Sequence, residues 1–145
     1  MLNTLDVARQ KLQDGGYTCV VLLPEKEYNS HERGVRPLLT FLESETSFQG
    51  GIAADKTVGA GAAHLYVLLG IKAVWANVIS RSAKDILKQN NIQVAYGECV
   101  PYIINRQGNG ICPIEKAVEN TQNSSDALIC IKETLQRLQQ NNFNP

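Results

Sequence analysis

The sequence predicts one α/β domain built on a parallel or mixed sheet, and three observations carry that prediction. Strand-like apolar runs alternate with helical segments of roughly ten to sixteen residues, which is the signature of βαβ units. The run "KAVWANVIS" (Lys72 to Ser80) is apolar nearly throughout, as expected of a strand covered on both faces. The chain has 145 residues, 43% of them hydrophobic, enough for a single core, and no linker or repeat divides it. Residues 1–145 therefore read as one domain.

The elements follow in order. Leu5, Ala8 and Leu12 recur at helical spacing after a cap at Asn3 or Thr4, and Gly15-Gly16 ends that helix. "YTCVVLL" (Tyr17 to Leu23) is a β-rich run, and "KEYNS" returns from it across Pro24-Glu25 as a hairpin. "RPLLTFLES" (Arg36 to Ser44) reads as a short helix with Pro37 in its first turn. "AADKTVGAGAAHLYVLLG" (Ala53 to Gly70) reads as a helix whose glycines and alanines lower propensity but permit close packing on a sheet. Ser82 to Asp85 resembles a capping box opening a helix that runs to about Asn90. "IQVAY" and "VPYII" read as two more strands, and a helix begins near Cys112. Ser124 or Ser125 caps a last helix carrying Leu128, Ile131, Leu135 and Leu138, and the polar tail from about residue 140 is expected to fray.

Composition excludes several functional classes. Fourteen basic residues balance fourteen acidic ones, so no global field exists to hold an extended nucleic acid. No apolar run approaches the ~20 residues of a membrane span. Charges occupy the region of "MLNTLDVARQKLQD" where a signal peptide requires apolar residues, which points to the cytosol. Cys19, Cys99, Cys112 and Cys130 show no C-x-x-C spacing and read as free thiols.

"SHERGVRPLL" (Ser30 to Leu39), "AADKTVG" (Ala53 to Gly59) and "VPYIINRQGNGICPIE" (Val100 to Glu115) together resemble a bacterial family, domain of unknown function 1893. Its members are described as having a cytidine-deaminase-like fold. The resemblance covers nearly the whole chain in order. It implies a three-layer α/β/α sandwich around a mixed sheet, and no settled activity. A zinc deaminase uses an H-x-E motif and a P-C-x-x-C pair to hold a metal that activates water. Where those motifs should open successive helices, this chain reads "AADK" and "SRSAKD". His31, His64 and the lone thiol of Cys112-Pro113-Ile114-Glu115 do not supply three ligands at workable spacing, so neither a metal nor a cofactor is expected.

The residues standing in those places define the candidate site. Asp55 and Lys56 are expected at the start of the Ala53 helix, Asp55 as a first-turn cap and Lys56 as a cation that opposes the helix dipole and so either points to solvent, pairs with Asp55 or contacts an anionic or carbonyl ligand. Cys112, preceding Pro113, is the expected N-cap of its helix, with Glu115 placed to reach back in a capping-box manner. A thiol there feels the positive helix end, which favours thiolate, although an inert structural cysteine fits the same position. Asn105, Arg106, Gly108 and Gly110 form a loop whose glycines could present backbone amides to a phosphate or carboxylate, or simply satisfy a turn. His31, Glu32 and Arg33 form either a solvated turn or further contacts to the same pocket, and Ser80-Arg81-Ser82 ends a strand where ligands gather. Trp75 and His64 read as core or interface.

Three functional readings follow. The leading one is a cytosolic domain that holds a small anionic or nucleotide-like ligand between Asp55-Lys56 and the Asn105-to-Glu115 loop. The second is an enzyme with Cys112 as nucleophile, assisted by Lys56 or His31. The third is a homo-oligomeric scaffold; by analogy with proteins of this fold, a homodimer is the expected state.

Overall fold

The computed structural model describes residues 4–142. Its elements are α1 (Thr4–Gly15), β1 (Cys19–Leu22), β2 (Glu27–Ser30), α2 (Arg36–Glu43), β3 (Ile52–Val58), α3 (Ala60–Leu69), β4 (Ala73–Ser80), α4 (Arg81–Gln89), β5 (Gln93–Val100), α5 (Pro113–Ala117) and α6 (Ser124–Asn142). The strands form one five-stranded sheet in the order β2-β1-β3-β4-β5. β1 runs antiparallel to both β2 and β3, while β3, β4 and β5 are parallel, so the sheet is mixed.

Side-chain alternation sends each central strand into two cores. Val20, Ile52, Ala54 and Trp75 face α1, meeting its Leu5, Ala8 and Leu12. Val21, Ala53, Val74 and Ala76 face the opposite way, against α2, α3 and α4. α6 packs on α3 and α5. α3 is enclosed by α2, α4, α5 and α6 as well as by β3, which explains why Ala60 through Tyr66 are all buried and why its sequence shows no polar stripe.

Four element assignments need correction. "AADKTV" is strand β3, not the first turns of a helix; the helix begins only at Ala60, after Gly59 in extended conformation (φ −92°, ψ 179°). Alanine favours helices in isolation, but here small side chains suit a central strand pressed between α1 and α3. "VPYII" is not a separate strand. β5 runs unbroken from Gln93 to Val100, and Pro101, lacking an N–H, ends it. α4 is capped by Ser80, whose Oγ accepts from the Ala83 N–H at 3.2 Å, rather than by Ser82. α6 is capped by Asn123, whose Oδ1 accepts from the Asp126 N–H at 2.9 Å, and the helix continues through the tail to Asn142. Asn3 and the last three residues of the tail lie outside the described residues.

Candidate functional site

Because β3 is a strand, Asp55 and Lys56 send their side chains to opposite faces of the sheet. The Asp55–Lys56 pair expected at a helix start therefore does not exist. Lys56 is exposed, and its N–H donates to Thr18 O at 3.0 Å. Asp55 turns inward beneath α3, where its Oδ2 accepts from the Tyr66 hydroxyl at 2.6 Å and its Oδ1 from the Thr57 N–H at 3.2 Å. Cys19 Sγ lies 3.4 Å from the same hydroxyl, completing a chain of three buried ionisable groups. Burial pushes the Asp55 carboxyl up to about 7, against the opposing effect of those hydrogen bonds. Burial also raises the Cys19 thiol and the Tyr66 phenol, reinforced in each case by the nearby Asp55 charge. Neither Cys19 nor Tyr66 was singled out in the sequence; each looks like an ordinary core residue there.

The loop between β5 and α5 folds on itself. Ile104 and Ile111 form an antiparallel bridge, the Asn105 N–H donates to Gly110 O at 2.8 Å, and the Gly108 N–H donates to Asn105 O at 3.1 Å. Asn105 Oδ1 accepts from the Asn109 N–H at 3.2 Å, and Gly108 adopts φ +74° at the turn. Several of the amides expected to face a ligand are thus spent inside the hairpin. Arg106 is exposed at its tip.

Cys112 does precede α5, with Pro113 in the first turn, but it makes no side-chain cap bond. Its N–H donates to Ile103 O at 2.8 Å, and among the described residues its thiol has no hydrogen-bond partner. His31 lies in the loop after β2, its ring centroid 4.8 Å from that of Tyr17, and Arg33 is exposed nearby. No described contact joins either of them to Cys112.

Glu115 holds the most connected position, and it does not reach back to Cys112 as a capping box would. Its buried Oε1 accepts from the Ala60 N–H at 2.8 Å, from Ser80 Oγ at 2.5 Å and from Ser82 Oγ at 3.3 Å. Its Oε2 accepts from the Ile103 N–H. These donors come from the first turn of α3, the cap and first turn of α4, and the segment after β5. Gly59 offers α3 no side-chain cap, so Glu115 supplies one from 55 residues away. An anion there also meets the positive ends of two helix dipoles, and among the described residues no cation pairs with it. A Cβ on Gly59 would stand 3.3 Å from Oε1, so glycine leaves room for the carboxylate. Ser80 and Ser82 read from sequence as strand-end residues, and nothing in the sequence signals their convergence on Glu115.

His64 is buried on α3, its Nδ1 3.0 Å from Ser124 Oγ, and burial lowers its pKa. Trp75 is buried under α1, with the Arg9 guanidinium 5.1 Å from its ring. Both belong to the packing, as their sequence context suggests. All four cysteines are unpaired. Among the described residues, no three His, Cys, Asp or Glu side chains gather closely enough to hold a metal, and no helix is long and apolar enough to cross a membrane.

Fold and site define a mixed-sheet α/β sandwich whose paired helix N-termini close on a carboxylate of the chain itself. The chain belongs to the family described as Domain of unknown function (DUF1893), whose model matches residues 7–135. Among solved structures it is similar to a DUF1893 family protein (TM1506) from Thermotoga maritima, with 20% identity and a TM-score of 0.81 over 94% of this chain and 92% of that one. It is less similar to the dCMP deaminase from the cyanophage S-TIM5, solved in complex with dCMP and dUMP. There the identity is 12% and the TM-score 0.43, over 64% of this chain and 93% of that one. A diaminohydroxyphosphoribosylaminopyrimidine deaminase/5-amino-6-(5-phosphoribosylamino)uracil reductase from Thermotoga maritima gives 12% identity and a TM-score of 0.43, over 64% of this chain and 34% of that one. No curated protein matches the chain.

Proposed function

We propose that this is a cytosolic domain that binds a small anionic, nucleotide-like metabolite at the paired N-termini of α3 and α4. The ligand's phosphate or carboxylate would take the place of the Glu115 carboxylate. One observation carries the reading: four donors from three separate segments converge on a single buried carboxylate that, among the described residues, no cation neutralises. Such an arrangement serves an oxyanion whatever chain it belongs to. Exchange would lift the Ile103-to-Glu115 segment, held by a short hairpin and the five-residue α5. Arg106, exposed at the tip of that hairpin, would help draw the anion in. Lys56, on the other face of the sheet, has no part. The Cys112 enzyme has no specific observation in its favour.

Thermal-shift titration at low ionic strength, with inorganic phosphate, nucleoside monophosphates and small carboxylates, tests the reading. At least one should raise the Tm of the wild-type protein. Ser82→Ala and Arg106→Ala should diminish the shift and Lys56→Ala should preserve it. No shift with any anion, or one untouched by the first two changes, refutes it.

A further inference from the structure

We propose that the free edge of β5 is a self-association surface, and that two copies of this chain join there into one continuous antiparallel sheet. β5 ends the sheet and pairs only with β4. The Gln93 N–H donates inward to Lys72 O at 3.0 Å. By alternation, Ala95, Gly97 and Cys99 also direct their backbone groups to β4. Val94, Tyr96, Glu98 and Val100 therefore turn their N–H and C=O groups outward, where the described chain gives them no partner.

An exposed edge of this kind is normally blunted by shortness, lysines, proline or a bulge. The opposite edge follows that rule, since β2 has only four residues and carries Glu27, with Lys26 just before it. β5 is eight residues long, with no proline, no lysine and one charge, Glu98. Its Tyr96 is 41% exposed, and the segment that continues it exposes Tyr102 (45%) and Ile104 (50%). An unguarded edge bordered by apolar side chains suits pairing rather than solvent.

Charge selects the partner and the register. A two-fold axis at Gly97 sets Val94 opposite Val100 and Tyr96 opposite Glu98. Lys84 Nζ sits 5.5 Å from the Tyr96 ring centroid, so each Glu98 arrives beside a cation of the other copy. An axis at Glu98 would oppose two carboxylates, and an axis at Tyr96 would take Glu98 away from Lys84. A symmetric contact between identical chains is thereby self-complementary.

Sedimentation equilibrium of the wild-type protein should give twice the 15.9 kDa chain mass. Glu98→Lys should weaken the dimer by at least about tenfold in Kd, equivalent to about 1.4 kcal/mol. The charge swap Glu98→Lys with Lys84→Glu should restore it. Tyr96→Pro removes an outward N–H without touching the ladder to β4, and should give a monomer with an unchanged circular dichroism spectrum. A monomeric wild type overturns the proposal, as does a dimer indifferent to Glu98→Lys or one that persists in folded Tyr96→Pro. Should the proline variant fail to fold, the charge reversal and its rescue decide alone.

Discussion

Asp55 brings a carboxylate into the core between β3 and α3 and meets only hydrogen-bond donors there. Its carboxyl is raised from 3.8 to about 7, so the folded state holds a proton that the unfolded chain has released. The stability linked to that proton is fully present below about pH 4 and is lost as pH rises through 7. At about 1.4 kcal/mol per pH unit, the linked loss is roughly 4 kcal/mol, a large share of a typical domain's stability. Asp55→Asn keeps an acceptor for Tyr66 without a charge. Urea denaturation should therefore show the variant gaining on wild type by about 1–3 kcal/mol between pH 5 and pH 8. A difference that stays constant with pH would show that the carboxylate is not strained by burial. None of this is legible from "AADK", because the position of Asp55 depends on Tyr66 and Cys19, brought near by the fold.

The glycine-rich stretch of α3 shows what was legible at the level of the element. Small residues do mark a tightly packed helix, as the sequence suggests, but the closest packing is against α5 and α6 as well as the sheet. A Cβ on Gly61 would stand 2.4 Å from Ile114 Cγ2 and 3.4 Å from Ile131 Cδ1. Gly61→Ala gains up to ~1 kcal/mol in helix propensity but should lose about 1–3 kcal/mol to overpacking. A net loss in urea denaturation that Ile114→Ala largely relieves would confirm that α5 rests on that glycine. If the two changes simply add, the contact is not tight. The element errors have related causes. "AADKTV" opens with two alanines and a charged pair and carries β-branched residues only at its end, Thr57 and Val58, because a central strand between two helical layers takes small side chains. "VPYII" has a strand's composition, but Pro101 stops the ladder.

Across the molecule, periodicity and apolar runs show β1, β2, β4 and β5 and most of the helices, since those depend on local patterns of burial, whereas β3 reads as helix and "VPYII" as a strand that does not form. The site is less legible because it is assembled from Ala60, Ser80, Ser82, Ile103 and Glu115, which come from separate strand-to-helix junctions joined only by topology. The sequence points to Glu115 and to the Ser80-Arg81-Ser82 turn, but it aims the Glu115 carboxylate back at the Cys112 cap of its own helix and puts Asp55 at a ligand face it does not reach. Glu115 is thus the tie between the parallel half of the sheet and the segment after it, and its carboxylate fills an anion cradle. Removing it should leave several buried donors unpaired, costing about 3–5 kcal/mol. The direct test is the melting temperature of Glu115→Ala as formate or acetate is titrated at constant ionic strength. If the cradle takes small anions, the variant's Tm should rise steeply and saturably while wild type changes little; parallel, shallow responses in both proteins would contradict it.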